Sequence, residues 1–384
     1  RRSRPARRFA TNTCVVAGLS SVIHVVHVVT RTNIGGVSSY IGNLVRSTEA
    51  FGVRHTVIRG TPEQLEGDYF QNNPLKAEII DIPTLRRPLR PIDDLRSLLA
   101  LWKAMRKLCP DIVHTHMAKA GLLGRVAAFL AGIEIRIHTF HGHLLTGYFS
   151  KPAVFLIVQL ERALQCITSW SIVNGENVRR DLVGRGVISL DTSTNIPPGV
   201  LEIAAISKDN ARQFLQLPLG TPLVGFVGRL TQIKRPDRFI ALARAIPDAY
   251  FVVCGDGPLL SSLKLSANDL RNITFIGWLA DTSVLYSAID VIVLTSENEA
   301  VPTVLIEASS AGVPSIATDV GSVSEIVVDD VTGFIADGET ALLTLTTRLL
   351  NSEDLRAQFG RAARQRALSE FGLGSFARRH TDLY

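Results

Sequence analysis

Cysteine is scarce and poorly placed for bridging. The 384 residues hold four, Cys14, Cys109, Cys166 and Cys254. None are in a Cys-x-x-Cys pair, which argues against a disulfide scaffold or zinc ribbon and fits a reducing cytoplasm. No Asp-x-Asp occurs, so the usual acidic signature for a divalent metal on a diphosphate is missing. No Gly-x-Ser-x-Gly elbow occurs, which disfavours acyl-transfer hydrolases. Net charge is also small in the body of the chain. Five of the formal +6 come from Arg1, Arg2, Arg4, Arg7 and Arg8. The rest is near neutral, which argues against a nucleic-acid partner. Residues 1–20 read as a solvated basic tail, with contact to anionic lipid as the functional alternative. Long uncharged apolar runs are lacking too. Cys14–Val29 could pass for a signal peptide or anchor, but His24 and His27 interrupt it and VIHVVHVV reads as a buried strand. Pro152–Leu164 carries Glu161 and Arg162 and falls short of the roughly 20 residues a membrane span needs. The first residue is not Met, which reads as a processed or partial chain.

What is present is a regular alternation. Val/Ile-rich runs at Val22–Val29, His55–Ile58, Ala77–Asp81, Asp111–His114, Glu134–Thr139 and Ser169–Val173 are separated by amphipathic stretches. In one stretch Val37, Ile41, Leu44 and Val45 share a face, and in another Leu95, Leu99, Trp102 and Met105 do. Two prolines and a glycine in NIPPGV, 195–200, mark a linker. Strands then resume at Leu223–Val227, Tyr250–Cys254, Ile273–Ile276, Val291–Leu294 and Ser315–Ala317. This is the signature of an α/β protein with two doubly wound, Rossmann-like parallel-sheet domains, 21–195 and 200–366, facing across a cleft. A helical stretch, Ser352–Arg366, ends the second domain. Residues 367–384 are placed as a segment that could cross back to the first.

Four constellations could carry chemistry. In GFVGRLTQIKRPD, Arg229 and Lys234 follow a strand end around a short loop, with a fork and a point charge suited to phosphate oxygens. They read equally as solvated basic residues. In SENEAVPTVLIEASSAGVP, Glu299 closes a loop and Glu307 lies inside a helix starting near Thr303, with Pro302 at its first turn. The start of that helix is an anion site, and the carboxylates suit sugar or ribose hydroxyls. Solvation and helix packing are the bland alternatives. Gly35 and Gly36 sit between the first strand and helix, a phosphate-loop position of low specificity. His138, His141 and His143 have metal-like spacing but no acidic or thiol partners nearby, so no metal site is assigned. His141 is the candidate for an exposed hydrogen-bonding histidine, and His114 and His116 either line the same cleft or pack a strand end. Arg86, Arg87 and Arg90 form a basic loop that is either solvated or faces anionic lipid.

In their order, NIGGVSSY, DIVHTHMAKAGLLGR, HTFHGH, NGENVRRDL, GFVGRLTQIKRPD, VVCGDGP, ITFIGW and the stretch from Glu299 to Glu307 resemble the retaining glycosyltransferases of family 4, which have the GT-B architecture. The likeness runs from about Val22 to Tyr384. It implies transfer of a sugar from a nucleotide-sugar, most commonly a UDP-sugar, to a glycan or polyprenyl-linked acceptor, with no cofactor and no metal. It implies that Arg229 and Lys234 bind the donor diphosphate, that Glu299 touches the sugar and Glu307 the ribose, and that His141 lies beside the reacting sugar. Gly35, Gly36, Gly228, Gly255 and the segment Ala300, Val301, Pro302, Thr303 and Val304 complete the donor side. His116, Lys119, His141 and His143 stand on the acceptor side. It further implies cell-envelope or polysaccharide synthesis at the inner face of the membrane. Two positions depart from the family pattern. Ala300 replaces a usual glycine and would be strained if its φ were positive, and Gly321-Ser322 replaces a common Gly-Gly. A nucleotide-sugar epimerase and a non-catalytic sugar-nucleotide binder are the alternatives.

Overall fold

Continuous runs of valine are stable in a strand only when both sheet faces are covered, and the first strand shows this directly. In the computed structural model, which describes residues 22–33, 35–61, 67–142, 150–204 and 206–384, Val25, Val26, Val28 and Val29 are all fully buried. They lie in β1 (Ile23–Val29), which is followed by β2 (Val53–Arg59), β3 (Glu78–Asp81), β4 (Ile112–His116), β5 (Ile135–Phe140), β6 (Trp170–Val173) and β7 (Ser193–Asn195). The seven strands form one parallel sheet in the order β3-β2-β1-β4-β5-β6-β7. A second parallel sheet holds β8 (Leu223–Val227), β9 (Tyr250–Cys254), β10 (Ile273–Gly277), β11 (Val291–Leu294), β12 (Ser315–Thr318) and β13 (Gly333–Ala336), in the order β10-β9-β8-β11-β12-β13. In each sheet the order reverses once, between β1 and β4 and between β8 and β11. Open α/β sheets bind ligands at the carboxyl ends of strands beside such a reversal.

The sequence reading does not foresee β7 or β13. β7 is three polar or small residues with no apolar period, and it forms because β6 offers it an open edge. The helix Gly36–Thr48 buries Tyr40, Ile41, Leu44 and Val45, close to the expected face. The helix Pro91–Leu108 buries its expected face only in part, at Met105 and half-buried Trp102. Ser97, Leu101 and Met105 turn inward, and Leu95 and Leu99 are 58% and 49% exposed. Apolar residues flank that helix on two overlapping stripes, and the neighbouring helix Ala118–Ala131 selects one.

The expected linker is packed rather than free. Ile196 and Val200 are buried, Asn43 Nδ2 donates to the Gly199 carbonyl at 2.8 Å, and Val200 N–H donates to the Phe371 carbonyl at 2.9 Å. After the helix Glu353–Glu370 the chain turns back, and the helix Leu373–Thr381 packs on Gly36–Thr48, with Phe376 in the first domain's core. A Cβ on Gly199 would meet the Phe376 ring at 2.5 Å, so the absent side chain is what admits that ring. Deeper in the first domain, fully buried Arg125 pairs with Glu161 at 2.8 Å, joining the helices Ala118–Ala131 and Lys151–Gln165.

Candidate functional site

Lys234 ends a single 3-10 turn, Gln232–Lys234, after β8. Thr295 Oγ1, just beyond β11, shares its one hydrogen between the carbonyls of Lys234 and Arg235, each 2.8 Å away. Glu297 N–H donates to the Ile233 carbonyl at 2.8 Å. These bonds hold the loop after β8 against the loop after β11, so Lys234 Nζ reaches Glu299 Oε1 at 2.5 Å. Ser296 Oγ donates to the same oxygen at 2.6 Å. Pro302 stands at the N-cap of the helix Thr303–Ser310, and no side chain caps that helix. Its first backbone N–H groups and the Lys234 ammonium therefore face one region suited to an anion.

The first domain closes this region from the other side. A cavity of about 240 Å³ is lined by Gly36, Val37, His141 and Asn174 of the first domain, Pro198 of the connection, and Lys234, Glu299 and Val301–Val304 of the second. Small-molecule pockets run from roughly 300 to 1,000 Å³, so the space suits a sugar-sized group rather than a whole sugar nucleotide. The domains touch beside it. The Glu325 carboxylate accepts the backbone N–H groups of Glu176 at 2.8 Å and Asn177 at 2.9 Å, capping the helix Glu176–Gly184 from across the interface. Gly175 has φ +135°, and a Cβ there would lie 2.4 Å from Ser322 Oγ.

Lys234, Glu299, Val301–Val304, Gly36 and His141 are thus brought together. Gly35 caps the first helix in an extended conformation and leaves the cavity lining to Gly36. A Cβ on Gly36 would meet nothing within 4 Å, so the space beside it is open. Gly228 and Gly255 pack against each other, where a Cβ on Gly255 would sit 1.9 Å from the Gly228 carbonyl oxygen. Arg229 does not line the cavity. It is exposed, and among the described residues its side chain has no hydrogen bond or ion pair. Glu307 also lies outside the lining, accepting a 2.8 Å hydrogen bond from Tyr286 OH. Ala300 does not belong to the described non-glycine residues with positive φ, so the expected strain is absent. Its methyl group lies 3.5 Å from where a Cβ on Gly142 would be, an ordinary contact.

The acceptor-side expectations change more. His116 is fully buried and hydrogen-bonded at both ring nitrogens, to His27 and His141, so it cannot touch an acceptor. Lys119 is tied to Asp94 and to the Pro88 carbonyl, away from the cavity. His143 lies outside the described residues. His138 is buried and bonded to Thr115 Oγ1 at 2.9 Å. The histidines that do gather are different ones. His27, His114 and His116 bring one nitrogen each within 4.8 Å of one another, the spacing a metal would need. Their nitrogens already meet His55, His116, His141, Thr139 and Tyr384, and none of those partners is a carboxylate to offset a cation. Within the trio His27 and His116 are hydrogen-bonded to each other, and His114 packs against both rings. Sequence reasoning missed Asn174, which lines the cavity and opens the NGENVRRDL motif, and it missed His27 and His55, whose strand positions read as core.

Burial pushes the Glu307 carboxyl up to about 7, with the Asp281 charge adding to the rise and the Tyr286 hydrogen bond opposing it. A carboxyl raised in the native state binds more protons folded than unfolded between about pH 4.5 and 7. Its stabilising contribution is therefore complete below that window and lost as pH rises through it. Melting curves of the Glu307→Gln protein should lack this decline, and the same downward slope in both proteins would show that Glu307 does not titrate there.

Comparison with known proteins agrees with the two halves seen here. Residues 34–200 match the model described as Glycosyltransferase Family 4, and residues 207–366 match Glycosyl transferases group 1. The chain is 34% identical over 271 residues to the Escherichia coli UDP-Gal:alpha-D-GlcNAc-diphosphoundecaprenol alpha-1,3-galactosyltransferase, covering 67% of this chain and 70% of that one. It is 26% identical over 310 residues to the Staphylococcus aureus capsular polysaccharide biosynthesis glycosyltransferase CapM, covering 77% and 81%. Anabaena HepE, solved in complex with UDP and glucose, superimposes with a TM-score of 0.79 at 18% identity over 94% of this chain and 99% of that one.

Proposed function

The chain belongs to the family 4 glycosyltransferases with the GT-B architecture, and from that premise we propose that it moves galactose from UDP-galactose onto a polyprenyl-diphosphate-linked glycan. Sugar transfer from a nucleotide-sugar donor follows from the family; the particular sugar, base and acceptor are our reading, guided by the E. coli relative's named reaction. The observation that carries it is the juxtaposition of Lys234, Glu299 and an uncapped helix start with His141 across the domain boundary.

The mechanism is electrostatic. Cleavage between the anomeric carbon and phosphate leaves an oxocarbenium-like sugar and a diphosphate. Lys234 and the N–H groups at the start of Thr303–Ser310 meet the developing negative charge before it forms, so no reorganisation is needed at the moment of reaction. Arg229, exposed and without a side-chain partner among the described residues, swings onto the diphosphate when donor binds. Phosphate oxygens take Lys234 from Glu299, which frees that carboxylate to accept sugar hydroxyls. Glu307 takes the ribose. We assign no covalent nucleophile and read the transfer as retaining, by attack on the face the diphosphate leaves. These cations replace a divalent metal, so EDTA should leave the rate unchanged.

No helix among the described residues is long and apolar enough to cross a membrane. Arg86, Arg87 and Arg90 lie on an exposed loop with Leu89, 83% exposed, and Ile92, 70% exposed, follows in the first turn of the helix Pro91–Leu108. Basic and apolar side chains together suit a peripheral contact with anionic lipid at the cytoplasmic membrane face, where the acceptor's lipid is held.

The test is UDP release from UDP-galactose by the purified chain, with and without a synthetic polyprenyl-diphosphate-GlcNAc acceptor. Release that requires acceptor, with galactose found on the lipid in the α configuration, is expected. Conversion of the donor without acceptor would favour an epimerase. Binding without any turnover would favour a non-catalytic protein.

A further inference from the structure

Resting on the donor-site reading above, we infer that Asn174 is a specificity-determining residue that offers its amide oxygen to a hydroxyl of the donor sugar, in an orientation imposed by a chain of four histidines, half-buried His141 and the buried His116, His27 and His55.

The chain is continuous. Asn174 Nδ2 meets His141 Nδ1 at 3.1 Å, and His141 Nε2 meets His116 Nδ1 at 3.0 Å. His116 Nε2 meets His27 Nδ1 at 3.1 Å, and His27 Nε2 meets His55 Nδ1 at 2.9 Å. His55 Nε2 meets Thr48 Oγ1 at 2.7 Å, and Thr48 Oγ1 donates to the Leu44 carbonyl at 2.6 Å. Burial keeps the rings neutral. It lowers His141 to about 3 and His55 to about 4, and holds His27 and His116 well below the ordinary imidazole range.

A neutral imidazole has one donor and one acceptor nitrogen, so the chain has a direction. At the inner end the hydrogen of Thr48 is committed to a carbonyl, which can only accept. Thr48 Oγ1 must then accept from His55 Nε2–H, which makes Nδ1 of His55 an acceptor. The same demand passes outward through His27, His116 and His141, leaving each with its proton on Nε2 and its Nδ1 open to a donor. At the outer end the Asn174 amide N–H is that donor. Both ends require the same polarity. Turning the amide over would change the tautomer of all four rings and take Thr48 from the Leu44 carbonyl. His116, His27 and His55 are positioning residues in this arrangement, acting through His141.

The consequence falls on the other amide atom. Asn174 lines the interdomain cavity and is 4% exposed, and its Oδ1 has no hydrogen-bond partner among the described residues. Buried amide oxygens are rarely left unpaired, because the lost hydration is not replaced. With the amide nitrogen held by His141, the oxygen is the atom Asn174 can offer, and it selects a ligand group that donates. Sugar hydroxyls donate; a deoxy position does not.

Titration calorimetry on the full chain with UDP, UDP-galactose and the monodeoxy UDP-galactoses tests the recognition. Asn174→Ala should leave UDP affinity within about twofold and weaken UDP-galactose about 5- to 10-fold. One deoxy donor should lose affinity similarly with the unaltered protein and lose nothing further with the variant. Equal weakening of UDP and UDP-galactose, or losses that add for every deoxy donor, would overturn the proposal. Failure of the unaltered protein to bind UDP would instead remove the donor-site reading beneath it. Imidazole ¹⁵N spectra of histidine-labelled protein test the chain without any ligand. His55, His27, His116 and His141 should all carry their proton on Nε2, and any one of them protonated on Nδ1 overturns the direction argued here. Asn174→Asp keeps an acceptor oxygen but removes the donor, so it should hold UDP-galactose within about threefold of the unaltered protein while moving the His141 proton to Nδ1. Retention of the Nε2 proton in that variant would count against the coupling.

Discussion

Lys234→Ala should lower kcat by about 10²–10³-fold, because removing one preorganised group aimed at developing charge typically costs that much. The effect should fall mainly on kcat. Diphosphate charge grows as the glycosidic bond breaks, so the interaction is stronger in the transition state than in the ground state. Folding should survive, since Lys234 is partly exposed on a loop whose backbone is held independently by Thr295. Initial rates over a range of donor concentration, beside a thermal melt, separate the two outcomes. Near-normal kcat with intact folding would remove Lys234 from the mechanism. Lys234→Arg keeps the charge but changes a compact ammonium for a planar fork, and it should recover only part of the rate.

Glu161→Ala should be the most destabilising of the substitutions considered. Arg125 is fully buried, and Glu161 is its carboxylate partner at 2.8 Å. Removing the partner leaves a charge in a dry interior, which costs about 3–5 kcal/mol. Burial already pulls the Arg125 guanidinium below its usual range, with Glu161 opposing that shift. With a urea slope of roughly 1–3 kcal/mol per molar, the midpoint of the first domain should fall by at least about 1 M. Trp102 and Trp170 report on that domain and Trp278 on the second, so the fluorescence change should be uneven between them. An unchanged midpoint would mean that Arg125 finds water or another acceptor. Arg125→Met with Glu161→Leu should recover most of the loss, since replacing both partners by apolar groups is often near neutral.

The sheets were legible because strands buried on both faces must be apolar throughout. β8, β9 and β11 have the bounds that their apolar runs mark in the sequence. Linear pattern failed where several choices were chemically equal. The helix Pro91–Leu108 offers two apolar stripes that share Met105, and only its neighbour decided that Leu101 points inward rather than Leu95 and Leu99. β7 has no pattern of its own. The site was legible in part. Lys234, Glu299 and the start of Thr303–Ser310 are close in sequence to strand ends and helix starts, so local order nearly places them.

The sequence by itself determined two parallel-sheet domains and a set of phosphate- and sugar-seeking residues at their strand ends, because apolar period and loop chemistry are local properties. Only the tertiary structure decided which of them meet. It put Lys234 on Glu299, left Arg229 exposed, and drew His116 into the interior. It also assembled histidines from β1, β2, β4 and the end of β5 into one hydrogen-bonded line reaching Asn174. A hydrogen bond needs both partners within about 3 Å, and residues distant in sequence come that close only when the sheet stacks their strands.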